Sequence, residues 1–312
     1  MDTALLEATA AALVAPGKGI LAADESNGTM SKRLEAVGIE SNEEARRAYR
    51  ANLFATPGCE DAISGVILYD ETIRQNMDDG TPIPDYLSSR GIIPGIKVDT
   101  GTIDLEGCPG EKTTKGIEAE PENGWADLGT RCGEYFVMGA RFAKWRAVIT
   151  IGEGMPSDEC IHSNADALAR YSVICQDHGL VPIIEPEVLM DGSHNLKVCF
   201  DVTWKVLEQT FEECKRQGVH LPGALLKPNM VIAGKDSNDP ITRIDVAHCT
   251  TQMLSGSVPR DVGGIVFLSG GQSDEDAEPE PPPEPQQEDV PSEDSSPGGN
   301  VLYNFFNDTF FF

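Results

Sequence analysis

Metal-ligand spacings, redox cysteine pairs and membrane-length apolar runs are all wanting in this sequence of 312 residues. The five histidines (His162, His178, His194, His220 and His248) are scattered, and none pairs with another at the spacing of a zinc site. Metal chemistry therefore finds little support, and no metal site is expected. Among the eight cysteines no two stand two residues apart, which argues against zinc ribbons and dithiol redox motifs and for reduced thiols in a cytoplasmic protein. No apolar run approaches the roughly 20 residues that cross a bilayer, so no membrane partner is expected. The N-terminus, Met1-Asp2-Thr3-Ala4-Leu5-Leu6, carries an early acid and no basic stretch before its apolar residues, unlike a signal or transit peptide.

Basic residues are scarce too. Lys and Arg number 24 against 51 Asp and Glu, a formal charge of −27. Asp274 to Phe312 holds eleven of those acids and no base, leaving −16 on the rest, so nucleic acid is not an expected partner. From Ser273 to Asn300 the chain is Asp, Glu, Pro, Ser and Gly with seven prolines, and it cannot offset its ordering entropy by burial. The composition predicts a barrel-sized unit over 1–272 and a disordered acidic tail over 273–312. The aromatic end, Val301 to Phe312, shows no heptad, alternation or cap, and reads either as a docking peptide or as sequence not selected to fold.

What is present is a series of short apolar, β-branched runs flanked by turn residues: Gly19–Ala23, Gly65–Tyr69, Ile92–Val98, Phe142–Ile149, Val181–Val188, Ala224–Met230 and Gly264–Leu268. Helical patterns such as Asn42–Phe54, Ala165–His178 and Val202–Gln217 lie between them. This alternation predicts a parallel α/β sheet covered on both faces. Doubly wound sheets and (β/α)₈ barrels both fit it, but the strand ends favour the barrel. Asp24, Asp70, Lys97, Asp99, Lys144, Arg146, Glu185, Glu187 and Lys227 lie in or at the ends of strands, as where a TIM barrel gathers its catalytic groups. A glycine-rich phosphate turn after the first strand is lacking, and Ala22-Ala23-Asp24-Glu25-Ser26 stands there instead.

Lys227 follows two leucines on a buried strand, where desolvation disfavours its ammonium form and frees the amine to attack a ketone. An ordinary lysine paired with a carboxylate at a strand end remains the alternative. Glu185 and Glu187 flank Pro186, so a regular strand points both carboxylates to one face, where Lys144 and Arg146 on another strand offer compensation. A structural salt-bridge layer is the competing reading, although five charges are expensive to bury for stability alone. Asp24 and Lys97 also read as plain strand termini. Ser269-Gly270-Gly271 offers exposed amides and a hydroxyl for phosphate after the seventh strand, or simply a turn.

Taken together, Leu21-Ala22-Ala23-Asp24-Glu25-Ser26, Gly95-Ile96-Lys97-Val98-Asp99, Phe142-Ala143-Lys144-Trp145-Arg146, Glu185-Pro186-Glu187, Leu226-Lys227-Pro228-Asn229-Met230 and Phe267-Leu268-Ser269-Gly270-Gly271-Gln272 resemble the class I fructose-bisphosphate aldolases in order and spacing. The resemblance implies a (β/α)₈ barrel that cleaves fructose 1,6-bisphosphate reversibly to dihydroxyacetone phosphate and glyceraldehyde 3-phosphate in glycolysis, with no cofactor. It implies that Lys227 forms the imine, Glu185 transfers protons, Glu187 and Lys144 tune that traffic, and Asp24 helps deprotonate the C4 hydroxyl. Lys97 and Arg146 would lie near the glyceraldehyde-phosphate half, and Ser269, Gly270, Gly271 and Arg33 near the other phosphate. A homotetramer is implied as well. Glu118 to Trp125 reads as an insertion, a surface excursion with little effect on the site. After Ala277 the family pattern of an eighth strand and C-terminal helices gives way to the acidic tail. That departure predicts an open seven-stranded barrel with exposed edges, and impaired activity. Two other readings stay open, a catalytically silent binding protein and an incomplete gene model of an active enzyme.

Overall fold

The computed structural model describes residues 1–268, and within them strand and helix alternate as the apolar runs predict. After helix α1 (Thr3–Leu13) come β1 (Gly19–Ala23), α2 (Asn27–Ala36), α3 (Glu43–Phe54), the short α4 (Cys59–Ala62) and β2 (Ile63–Leu68). Next follow α5 (Asp70–Ile73), α6 (Ile83–Ser89), β3 (Ile93–Lys97), a hairpin of β4 (Thr102–Asp104) and β5 (Lys112–Thr114), α7 (Leu128–Val137) and β6 (Phe142–Ile149). The described part ends with α8 (Asp158–Asp177), β7 (Val181–Val188), α9 (Leu196–Gln217), β8 (Leu225–Leu226), α10 (Arg243–Ser257) and β9 (Gly264–Ile265).

Seven strands form one parallel sheet in the order β1-β2-β3-β6-β7-β8-β9. Its strands follow one another in chain order without reversal, as in a barrel; a doubly wound sheet reverses at a switch point. The sheet also curls. Asp24 at the end of β1 and Lys144 on β6 are three strand spacings apart, about 14 Å in a flat sheet, further than the two side chains reach, yet Lys144 Nζ stands 2.7 Å from Asp24 Oδ2.

Period-two alternation sorts the side chains. Ala143, Trp145 and Ala147 of β6 face outward into a core with Leu168 and Tyr171 of α8, where Trp145 and Tyr171 stack with centroids 5.4 Å apart. Phe142, Ile67, Val181, Ile183 and Leu225 face inward and pack with Leu6, Ala10 and Leu13 of α1, which closes the amino-terminal end of the sheet. Two glycines make room there, since a Cβ on Gly95 would lie 2.2 Å from the Phe142 ring and one on Gly65 would lie 2.6 Å from Leu13. Further along the same inward parity come Lys97, Lys144, Arg146, Glu185, Glu187 and Lys227.

Several predicted boundaries move, the run Gly264–Leu268 shortening to Gly264–Ile265 among them, and three of the shifts have a local reason. The run Ala224–Met230 yields only the two residues of β8, because Pro228 cannot donate to the β9 ladder and Lys227 N–H makes the last backbone bond to β7, to the Ile184 carbonyl at 2.8 Å. Ser157 caps α8 and Asn195 caps α9, so both helices begin earlier than their apolar periodicity suggests. The expected absence of an eighth strand and the expected disorder of 273–312 concern positions outside the described residues.

Candidate active site

The carboxyl ends of the strands bring four cations and four carboxylates onto the inward face. Lys144 lies at its centre, 2.7 Å from Asp24 Oδ2 and 3.6 Å from Glu185 Oε2. Burial opposes its charge, but Asp24, Glu185 and Asp99 outweigh that cost and hold the ammonium's pKa well above the usual lysine range. Asp24 is the counterpart. Desolvation would raise its carboxyl, yet Lys144, Lys227 and Lys97 prevail and hold it below the usual carboxylate range. Both groups are therefore charged at neutral pH, a fixed ion pair across the curled sheet.

Lys227 stands beside this pair. Parallel register sets Leu225 opposite Ile183, and two residues on it brings Lys227 beside Glu185, with Nζ 3.0 Å from Glu185 Oε1. The side chain of Lys227 is 15% exposed while that of Glu185 is 4% exposed, so the amine opens toward solvent over a buried acid. Glu185 Oε2 is buried without a hydrogen-bond partner. A carboxylate with one oxygen against an amine and the other free of hydrogen bonds, though 3.6 Å from Lys144 Nζ, can take up or release a proton over a short path.

Glu187, two residues on, pairs with Arg146. That contact and burial act oppositely on the guanidinium, and the carboxylates of Glu187, Glu185 and Asp99 raise its pKa. Lys97 Nζ donates to the Asp99 carbonyl at 2.6 Å and pairs with Asp99 Oδ1 at 2.6 Å. Eight ionisable groups thus gather in one region, all but Arg146 largely buried, and buried ion pairs add little net stability relative to an apolar core. Their number argues for a site.

Arg33 does not join them: it lies on α2, largely exposed, and pairs with Glu25, the neighbour of Asp24. Asp70 also stays apart, held by the Tyr135 hydroxyl at 2.9 Å and by Arg74. Ser269, Gly270 and Gly271 lie outside the described residues. Among the described residues no cluster of three His, Cys, Asp or Glu could hold a metal ion, and all eight cysteines are free, although the fold sets Cys132 and Cys175 side by side with Sγ atoms 3.8 Å apart.

Sequence reasoning missed the groups that hold the strand ends in place. Arg50 is fully buried and donates to the Glu25 carbonyl at 2.6 Å and to Thr72 Oγ1 at 2.8 Å, fixing the turn that carries Asp24. Arg131, also buried, donates to the Val98 carbonyl at 2.9 Å, between Lys97 and Asp99, and to Gly116. Trp125 covers it at 5.4 Å. The segment Glu118 to Trp125 lies mostly at the surface, as expected, and is braced there: the Glu120 carboxylate takes bonds from Thr100, Lys115 and Asn123. A buried arginine without a nearby motif leaves no signal in a single sequence.

Fold and site define a class, a parallel barrel with a buried lysine–carboxylate centre at the carboxyl ends of its strands. The family model for glycolytic class-I fructose-bisphosphate aldolase matches residues 5–280. A probable fructose-bisphosphate aldolase class 1 of Xanthomonas axonopodis pv. citri is 52% identical over 275 residues, covering 88% of this chain and 80% of that protein. Fructose-bisphosphate aldolase 6, cytosolic, of Arabidopsis thaliana is 52% identical over 272 residues, 87% of this chain and 74% of its own. The solved fructose-bisphosphate aldolase of Plasmodium falciparum, a ternary complex with TRAP and a small-molecule inhibitor, superposes with a TM-score of 0.83 at 47% identity, covering 88% of this chain and 77% of that one. The chain belongs to the class-I fructose-bisphosphate aldolase family, the carbon–carbon lyases that act on sugar phosphates through a lysine Schiff base. Among the described residues no helix is long and apolar enough to cross a membrane.

Proposed function

We propose that Lys227 is the imine-forming nucleophile in cleavage of fructose 1,6-bisphosphate, with Glu185 as its proton carrier. The observation that carries this reading is the 3.0 Å contact between Lys227 Nζ and Glu185 Oε1, with Oε2 buried and unbonded. Lys227 passes a proton to Glu185 and its neutral amine adds to the C2 ketone. Glu185 returns that proton to the C2 alkoxide, and then carries a second proton from the added nitrogen to the same oxygen, which leaves as water as the protonated imine forms. Asp24 accepts the proton of the C4 hydroxyl as the C3–C4 bond breaks. The C4 aldehyde departs, and the imine takes up the electron pair left on C3.

Lys144, charged throughout, sits between Asp24 and Glu185 and offsets their mutual repulsion, and Glu187 with Arg146 sets the potential over the same proton path. Arg146 and Lys97 hold the glyceraldehyde-phosphate half. Arg33, with Ser269, Gly270 and Gly271, holds the other phosphate, which keeps the substrate in reacting geometry. The exposed position of Arg33 suits a group that meets substrate at the rim.

The cytosolic relatives of Arabidopsis support a cytoplasmic location, and a homotetramer is proposed with it. We place the catalytic unit in 1–272 and treat 273–312 as a separate acidic segment. The family match and its relatives favour the enzyme over a silent binding protein. The test is to offer fructose 1,6-bisphosphate to the purified 312-residue chain and to its Lys227→Met variant. Triose phosphates are expected from the first and not from the second. Equal cleavage by both would overturn the proposal.

A further inference from the structure

The junction between β7 and β8 is short of backbone donors where the chemistry needs it tight. Pro186 separates Glu185 from Glu187, so β7 offers no amide to the Lys227 carbonyl, where a regular parallel ladder would place the next bond. The last backbone bond between the strands is Lys227 N–H to the Ile184 carbonyl at 2.8 Å. Among the described residues, the next link beyond it comes from a side chain. Asn229 Oδ1 accepts the Val188 N–H at 2.9 Å, and Nδ2 donates to the Met230 carbonyl at 3.0 Å and lies 3.4 Å from Thr203 Oγ1. Asn229 and Val188 are each only 3% exposed, so without this amide a buried backbone donor would go unpaired.

We infer that Asn229 is a positioning residue for the Lys227–Glu185 pair, its carboxamide replacing the ladder bond that Pro186 removes. The link runs from the residue after Glu187 to the second residue after Lys227, so it clamps both strand ends just beyond the amine and the acid. Loosening it lets Lys227 Nζ drift from Glu185, and drift on the order of 1 Å lowers turnover by about 10²-fold while leaving distant phosphate contacts in place. This inference rests on the assignment of Lys227 as nucleophile.

The experiment compares the whole chain with Asn229→Ala and Asn229→Asp. Each is treated with borohydride in the presence of dihydroxyacetone phosphate, modified Lys227 is counted by peptide mapping, and cleavage is expressed per modifiable site beside thermal unfolding. Asn229→Ala should lose about 10²-fold in kcat per site with KM changed only a few-fold. Asn229→Asp should approach the parent enzyme as pH falls from 8 to 6, because only the protonated acid can accept from Val188 and donate to Met230 together. Unchanged turnover per site, with only a lower unfolding temperature, would reduce Asn229 to a structural role and overturn the inference. If Asn229→Ala fails to fold, the pH trend of Asn229→Asp decides, a flat ratio to the parent counting against it. Labelling of the parent chain on another lysine would overturn the nucleophile assignment as well, which separates the two failures.

Discussion

Replacing Lys144 with methionine removes the central cation and leaves Asp24 and Glu185 facing each other without it. At an effective dielectric of about 20, the 2.7 Å contact with Asp24 is worth about 6 kcal/mol and the 3.6 Å approach to Glu185 about 5 kcal/mol. Restored hydration of the acids, the relieved desolvation of a buried ammonium and the remaining field of Lys97 and Lys227 offset much of that. Breaking a buried pair by removing one partner costs about 3–5 kcal/mol, a large part of the roughly 5–15 kcal/mol a domain holds. The sign with pH follows from Asp24, whose carboxyl is depressed in the fold: its contribution is present above the unfolded value near 4 and is lost as pH falls through the lower folded value. In Lys144→Met the depression relaxes, so the variant should be weakest near neutrality and approach the parent below about pH 4. Urea unfolding at pH 7 and at about pH 2.5 measures both. An unchanged midpoint at pH 7, or a deficit equal at the two pH values, would refute the central place given to Lys144.

Three further outcomes follow from the same contacts. Arg50→Met keeps the volume but strands the Glu25 carbonyl and Thr72 Oγ1, and should lower stability by about 2–4 kcal/mol, read from the urea midpoint. The raised pKa of Lys144 makes its pairing fully present below the unfolded value near 10.4 and progressively lost as pH rises from there toward the higher folded value, so parent stability should decline in alkali above about pH 10 and that of Lys144→Met should not follow it. Prolonged chelation should leave the cleavage rate unchanged, because the imine supplies the electron sink, and a loss restored by added zinc would contradict this.

Much of the fold was legible because inward and outward residues alternate on long strands. Phe142–Ile149 and Val181–Val188 match their predicted limits residue for residue. The same parity put Lys144, Arg146, Glu185 and Glu187 on one face before any coordinate was known. Partner choice was not legible, since the Lys144–Asp24 contact depends on a curl that no local pattern encodes. Nor was the brevity of β8, where Pro228 outweighs the strand propensity of its neighbours. Arg50, Arg131 and Asn229 act through backbone groups remote in sequence, and such bonds leave no periodicity to read.

The account turns on Lys227, and borohydride reduction of the 312-residue chain in dihydroxyacetone phosphate tests it most directly. Peptide mass mapping should find the reduced adduct on Lys227 in the parent and on no lysine in Lys227→Met. An adduct on Lys144 or Lys97 in the parent would contradict the account.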